Sequence, residues 1–157
     1  MRVIIENTSA EAGRWAANYV AAQINAKAKE CSAPFVLGLP TGSTPLGMYA
    51  ELINLCKEGK VSFRNVAVYS LDEFYPISKD VQQSRNYRIH DEFLKHIDIA
   101  PENIHIPDGT VPQSNISEYC AEYEKSIRKI DLMIIGMGED GQVGFNEPGS
   151  YAKSNTR

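Results

Sequence analysis

Ile130-Asp-Leu-Met-Ile-Ile-Gly-Met-Gly-Glu-Asp-Gly-Gln-Val-Gly-Phe-Asn-Glu-Pro-Gly-Ser150 decides how the rest of the chain is read. Leu132 to Ile135 form an unbroken apolar run, the pattern of a strand buried on both faces in a parallel sheet. The run stops at Gly136, and Gly138, Gly141 and Gly144 follow among Asp140, Gln142, Asn146 and Glu147. Glycines at this density let a backbone bend tightly and approach a bound molecule closely. Met137, Val143 and Phe145 set the segment apart from a disordered linker, and long loops in compact domains are usually functional. A polar loop leaving the carboxyl end of a buried strand is where open α/β sheets hold ligands. The stretch predicts a strand followed by an active-site loop.

Outward from it, strand and helix patterns alternate. Met1 to Ile5 reads as a strand. Thr8 and Ser9 are candidate caps for a helix running to about Lys29, with Glu11 in its first turn and Trp15, Tyr19, Ala22 and Ala26 on one stripe. Phe35 to Leu39 is a second strand, and its helix buries Tyr49, Leu52, Ile53 and Cys56 before Gly59 closes it. Asn65 to Ser70 is a third strand. Asn86 to Ile97 is a helix with Tyr87, Phe93, Leu94 and Ile97 inward. Ile104 and Ile106 mark a short strand, and Ile116, Tyr119, Cys120, Tyr123 and Ile127 trace a last amphipathic helix. The pattern predicts an α/β fold, a doubly wound, mostly parallel, Rossmann-like sheet in three αβα layers with right-handed crossovers. Residues 1–157 read as one domain, and with no helix after the final strand they read as the N-terminal part of a longer one.

At 157 residues, with 43% hydrophobic and 23% charged residues, the chain has the composition of an ordinary soluble domain that can bury a core. A net charge of −4 and dispersed basic residues leave no electrostatic footprint for nucleic acid or an acidic membrane. No apolar run is long enough to span a bilayer, and no secretory signal pattern opens the chain. Cys31, Cys56 and Cys120 fit no zinc spacing and suggest reduced thiols, so the expected location is cytoplasmic.

Three loops carry chemistry. In Gly38-Leu-Pro-Thr-Gly-Ser-Thr-Pro45, Gly42 suits a positive φ, Thr44 suits an N-cap and Pro45 the first helical position. Helix-start N–H groups with the Thr41, Ser43 and Thr44 hydroxyls would suit a phosphate monoester; a capped turn without ligand is the plainer alternative. No Lys follows as in a Walker loop. Asp72 and Glu73 leave the third strand as an acidic pair: general base, metal ligand or solvated charge. No metal is expected, since further hard ligands are missing nearby. His90, His96 and His105 are scattered and read as structural or surface, and no nucleophile motif occurs. If the loops open on one sheet edge, a phosphate cradle, a carboxylate and the Asp140–Glu147 segment share one crevice.

These loops, Leu39-Pro-Thr-Gly-Ser-Thr-Pro45, Leu71-Asp-Glu-Phe-Tyr75 and Gly138-Glu-Asp-Gly-Gln-Val-Gly-Phe-Asn-Glu-Pro148, resemble the glucosamine-6-phosphate deaminase (isomerase) family over essentially the whole chain. The related 6-phosphogluconolactonases share the sheet and a similar phosphate loop, but Phe145-Asn146-Glu147-Pro148 favours the deaminase side. The resemblance implies conversion of glucosamine or galactosamine 6-phosphate to ketose phosphate and ammonia, without cofactor, in a homo-oligomer. It implies Asp72 as the base moving a proton between C2 and C1, Ser43 and Thr44 as phosphate holders, and Asp140 and Glu147 as aids to ring opening. Ser150 and Arg157 match positions that bind an activating sugar phosphate in some members. Gln142 departs from the pattern, standing where the family has histidine. Histidine exchanges protons near neutral pH and a glutamine amide does not. The family's basic phosphate clamp lies beyond Arg157. A phosphosugar-binding module without catalysis, and lactone hydrolysis, are the alternatives.

Overall fold

The computed structural model describes residues 2–151 and 154–156. The chain runs α1 (Ser9–Glu30), β1 (Phe35–Leu39), α2 (Leu46–Lys57), β2 (Val66–Ser70), α3 (Arg85–Glu92), β3 (Ile104–His105), α4 (Ile116–Ser126) and β4 (Leu132–Met133), with short 3₁₀ turns between. All four strands are parallel, in the order β3-β2-β1-β4. The chain moves outward from β1 through β2 to β3, then α4 carries it back across to β4 on the other flank. That reversal makes the carboxyl end of β1 and β4 a topological switch point, where adjacent loops diverge and leave a crevice.

Side chains alternate across the strands. Phe35, Leu37, Leu39, Val66 and Val68 join the large core under α1, α2 and α3. Val36, Ala67 and Tyr69 point the other way, against half-buried Tyr123, Ile127 and Ile130. In the large core Tyr49 stacks on Phe93 at 4.6 Å and Phe63 meets the same ring edge-on at 5.6 Å. Such pairs add about 0.5–1.5 kcal/mol each beyond area burial.

The N-terminal residues differ from the expected strand. Residues 2–5 pair with no strand, and Val3 and Ile5 are exposed, because both edges of β1 are already taken by β2 and β4. Thr8 does cap α1, its side chain accepting from the Glu11 N–H. The buried stripe of α1, however, is Ala17, Val20, Ala21 and Ile24; Trp15 and Tyr19 stack on each other outside. Small residues win the interior because α1 lies close on α2: a Cβ on Gly13 would sit 3.0 Å from the Gly47 backbone. Helix α2 buries Met48, Tyr49, Leu52 and Leu55, leaving Ile53 and Cys56 half-buried. The helix expected to reach Ile97 stops at Glu92, where Phe93 leaves helical geometry (φ −143°, ψ −61°) to drop its ring into the core. Helix α4 has no fully buried residue.

The last strand is short and one-sided. Leu132 and Ile134 pack on the large core, while Met133 and Ile135 are exposed, so the run is not buried on both faces as its composition predicts. Asp131 starts it, accepting from the Val36 N–H at 2.8 Å and pairing with Lys27 of α1.

Candidate active site

Beyond β1, Tyr49 anchors the turn: its hydroxyl donates to the Pro40 carbonyl at 2.5 Å. Burial pushes that hydroxyl's pKa well up, so it stays a donor. Gly42 has φ +109° with open space where a Cβ would be, so conformation alone requires glycine there. Pro45 occupies the N-cap position and no side chain caps α2, which corrects the assignment of Thr44 as cap. Ser43 and Thr44 are exposed and Thr41 is half-buried, on the rim above the α2 N-terminus.

Register places the second loop beside the first. Leu39 is paired with Ser70, and the Leu71 N–H donates to the Leu39 carbonyl at 3.3 Å. Asp72 follows with its side chain 14% exposed, its Oδ1 3.6 Å from Arg85 Nε. Burial raises the Asp72 carboxyl above the ordinary aspartate range; Arg85 opposes the rise and Glu73 adds to it. Glu73 has a different task. Its two oxygens accept from the Ser84 hydroxyl and the Arg85 and Asn86 N–H groups at 2.7–2.9 Å. A carboxylate from a distant loop thus satisfies the start of α3 and its positive dipole end.

The glycine loop is folded on itself. The Gly138 N–H donates to the Gln142 carbonyl at 2.9 Å, and Val143 and Asn146 exchange two backbone bonds around Gly144-Phe145. Gly144 takes φ +57° and touches the second loop: a Cβ there would lie 3.0 Å from Leu71 and 3.1 Å from Asp72 Oδ2. Gly136 abuts the first loop, 4.0 Å from Thr44 Oγ1 measured from its Cβ position. Phe145 lies against Phe74, ring centroids 5.3 Å apart. Asp140 accepts from the Gln142 N–H, and Ser150 accepts from the Glu147 N–H.

Asp72, Asp140, Glu147 and Ser150 line one cavity of about 1060 Å³, walled on the far side by α4. Thr41, Gly42, Ser43 and Thr44 are not in that lining, their link to the glycine loop being the approach of Thr44 to Gly136, and Gln142, folded over Gly138, is not in it either. Arg157 lies outside the described residues. His90 is in a separate surface dimple with Lys79, and His105 stacks on Tyr69 at 4.4 Å. Among the described residues no group of three or more His, Cys, Asp or Glu side chains is placed to hold a metal ion. Two features escape sequence reasoning: Arg85 beside Asp72, and Glu73 as a remote cap. A cation in the first turn of a helix, where the dipole disfavours it, is the one local hint of Arg85.

With this geometry in view, the relatives are informative. Residues 7–144 match the family described as glucosamine-6-phosphate isomerases/6-phosphogluconolactonase. Over its whole length the chain is 48% identical to a glucosamine-6-phosphate deaminase of Phocaeicola vulgatus, of which it covers 60%. It is 46% identical to one of Drosophila melanogaster, covering 58%. Among solved structures, a monomeric glucosamine-6-phosphate deaminase superposes with TM-score 0.88 at 36% identity, covering 98% of this chain and 62% of that one. A Thermotoga maritima 6-phosphogluconolactonase shares the fold, with TM-score 0.72 at 24% identity over 91% of this chain and 62% of that one. The chain therefore spans about three fifths of the relatives it matches. On sequence and fold together, it belongs to the glucosamine-6-phosphate isomerase/6-phosphogluconolactonase family.

Proposed function

We propose that this chain carries the proton-transfer half of an amino-sugar-phosphate isomerase/deaminase acting on glucosamine or galactosamine 6-phosphate. Asp72 carries the reading: a carboxylate at the end of β2, in a cavity at the switch-point edge, beside a loop suited to a phosphate. Its raised pKa strengthens it as a base. In the open-chain aldose, Asp72 removes the C2 proton and the electron pair moves onto the C1 carbonyl oxygen, giving an enolamine; the proton then returns at C1 while one N–H proton passes to O1. The resulting C2 imine is hydrolysed by water to the ketose phosphate and ammonia. Ser43, Thr44 and the N–H groups at the start of α2 hold the phosphate. Asp140 and Glu147, on the cavity wall, handle protons during ring opening.

Release of ammonia and ketose phosphate from glucosamine 6-phosphate tests this, with exchange of the C2 proton into deuterated solvent isolating the Asp72 step. Absence of both in a folded version extended to the full length of its relatives overturns it. Gln142 favours one second reading, a phosphosugar-binding module without turnover. Its amide cannot shuttle a proton, and its side chain lies over Gly138 instead of in the cavity. Saturable binding without C2 exchange would select that reading.

A further inference from the structure

Arg85 forms an ion pair with the proposed base, and no part of the scheme above uses it. It opens α3, where the helix dipole is unfavourable to a cation, so helix stability does not explain its presence. Its guanidinium packs against a touching pair of rings: the central carbon lies 4.5 Å from the Phe74 ring centroid and 5.7 Å from that of Phe145. Its Nε is buried and makes no hydrogen bond, facing Asp72 Oδ1 at 3.6 Å. Three separate segments therefore meet at one side chain: the end of β2, the start of α3 and the glycine loop. Asp72 is faced by Arg85 from α3 and by Glu73 next in the chain, whose oxygens are turned to the α3 N–H groups. Asp140 and Glu147 from the glycine loop, and Tyr119, Tyr123 and Glu124 from α4, share the cavity with it.

We propose that Arg85 is a positioning residue for Asp72: packed against both Phe74 and Phe145, its guanidinium keeps the carboxylate ionised and aimed into the cavity, and couples it to the seat of the glycine loop. The catalytic consequence rests on the reading of Asp72 as the base; the electrostatic coupling does not. An opposite charge at this range lowers a carboxyl pKa by about one to three units. Without it, the rise caused by burial acts unopposed.

The test is a carbon-13 NMR titration of the Asp72 carboxyl in the chain and its variants. In Arg85→Gln the midpoint rises by about one unit or more. Arg85→Lys reverses part of that rise, because the charge returns without the planar stack. Phe145→Leu, at an exposed ring, gives a smaller rise in the same direction and still reports if Arg85→Gln does not fold. An unmoved midpoint in folded Arg85→Gln, or in Phe145→Leu, overturns the proposal, even if thermal stability falls. C2-proton exchange separates this from the functional reading. If the wild-type chain exchanges, the acid limb of its rate should follow the Asp72 midpoint in each variant. If a folded version extended to the full length of its relatives exchanges at no pH, the deaminase reading fails while the NMR midpoints still decide the role of Arg85.

Discussion

Two of the loops that line the cavity are held in opposite ways. The loop after β2 is tied to distant parts of the chain: Glu73 to the start of α3, the Ile77 N–H to the Gly109 carbonyl at 2.9 Å, Leu71 to Leu39. Gly109 is packed so closely that a Cβ would lie 2.6 Å from the Ile77 carbonyl oxygen. The glycine loop is held mainly by bonds to itself, and Phe145, Asn146, Glu147 and Pro148 are exposed. It touches the loop after β2 through Gly144 and the Phe145 ring. A fixed base facing an adaptable wall suits a site that must admit a substrate and then exclude water, since moving elements come from the less stable parts of a structure.

The largest expected effect falls on chemistry in the fixed loop. Asp72→Asn should slow C2-proton exchange by about 10²–10⁴-fold, measured by NMR in deuterated buffer, with the fold intact. Normal exchange in this variant would remove Asp72 from the reaction. In the wild type the base works only when ionised, and burial places its pKa above the ordinary 3.8. The exchange rate should therefore fall with decreasing pH at a midpoint higher than that of a free aspartate, and a pH–rate profile reads it directly.

Next comes a matched pair of truncations that sharpens the contrast. Glu73→Ala strands the fully buried Ser84 hydroxyl and two helix-start N–H groups, and should cost about 2–3 kcal/mol in urea unfolding. Gly144→Ala should cost about 1 kcal/mol or more, since its φ of +57° strains an L-residue and the new methyl crowds Leu71 and Asp72. Glu147→Ala, the same deletion as at Glu73 but in the exposed loop, should stay within about 0.5 kcal/mol. Equal losses at Glu73 and Glu147 would break the distinction between the two loops.

Outside the site, Asp98 offers a stability test with a worked sign. Burial pushes its pKa up, but hydrogen bonds from the Ser62 hydroxyl, the Phe63 N–H and the Cys56 thiol outweigh that, leaving it below the usual value. A lowered folded-state pKa contributes stability above the unfolded value and loses it as pH falls through the folded one. Asp98→Asn should therefore lower the thermal midpoint at pH 7 and flatten its decline below about pH 4.

Alternation of strand and helix, the Thr8 cap, the turn at Gly42 and the three chemical loops were all legible along the chain, because each depends on neighbours within a few residues. Trp15 and Tyr19 misled, since hydrophobic size favoured them for the interior while close helix contact at Gly13 favoured alanines. Val3 to Ile5 misled as well, having strand composition but no free edge of β1 to join.

By itself the sequence determined the fold class, the order of elements and the residues available for chemistry. Only the tertiary structure decided that Asp72 and Glu73, adjacent in the chain, part company, one toward the cavity and Arg85, the other onto a helix start. It also decided that Gln142 turns aside while Gly144 meets Asp72. The reason is physical: periodicity and capping act over one or two turns of chain, whereas burial, ion pairing and pKa depend on which remote segments come within a few ångströms.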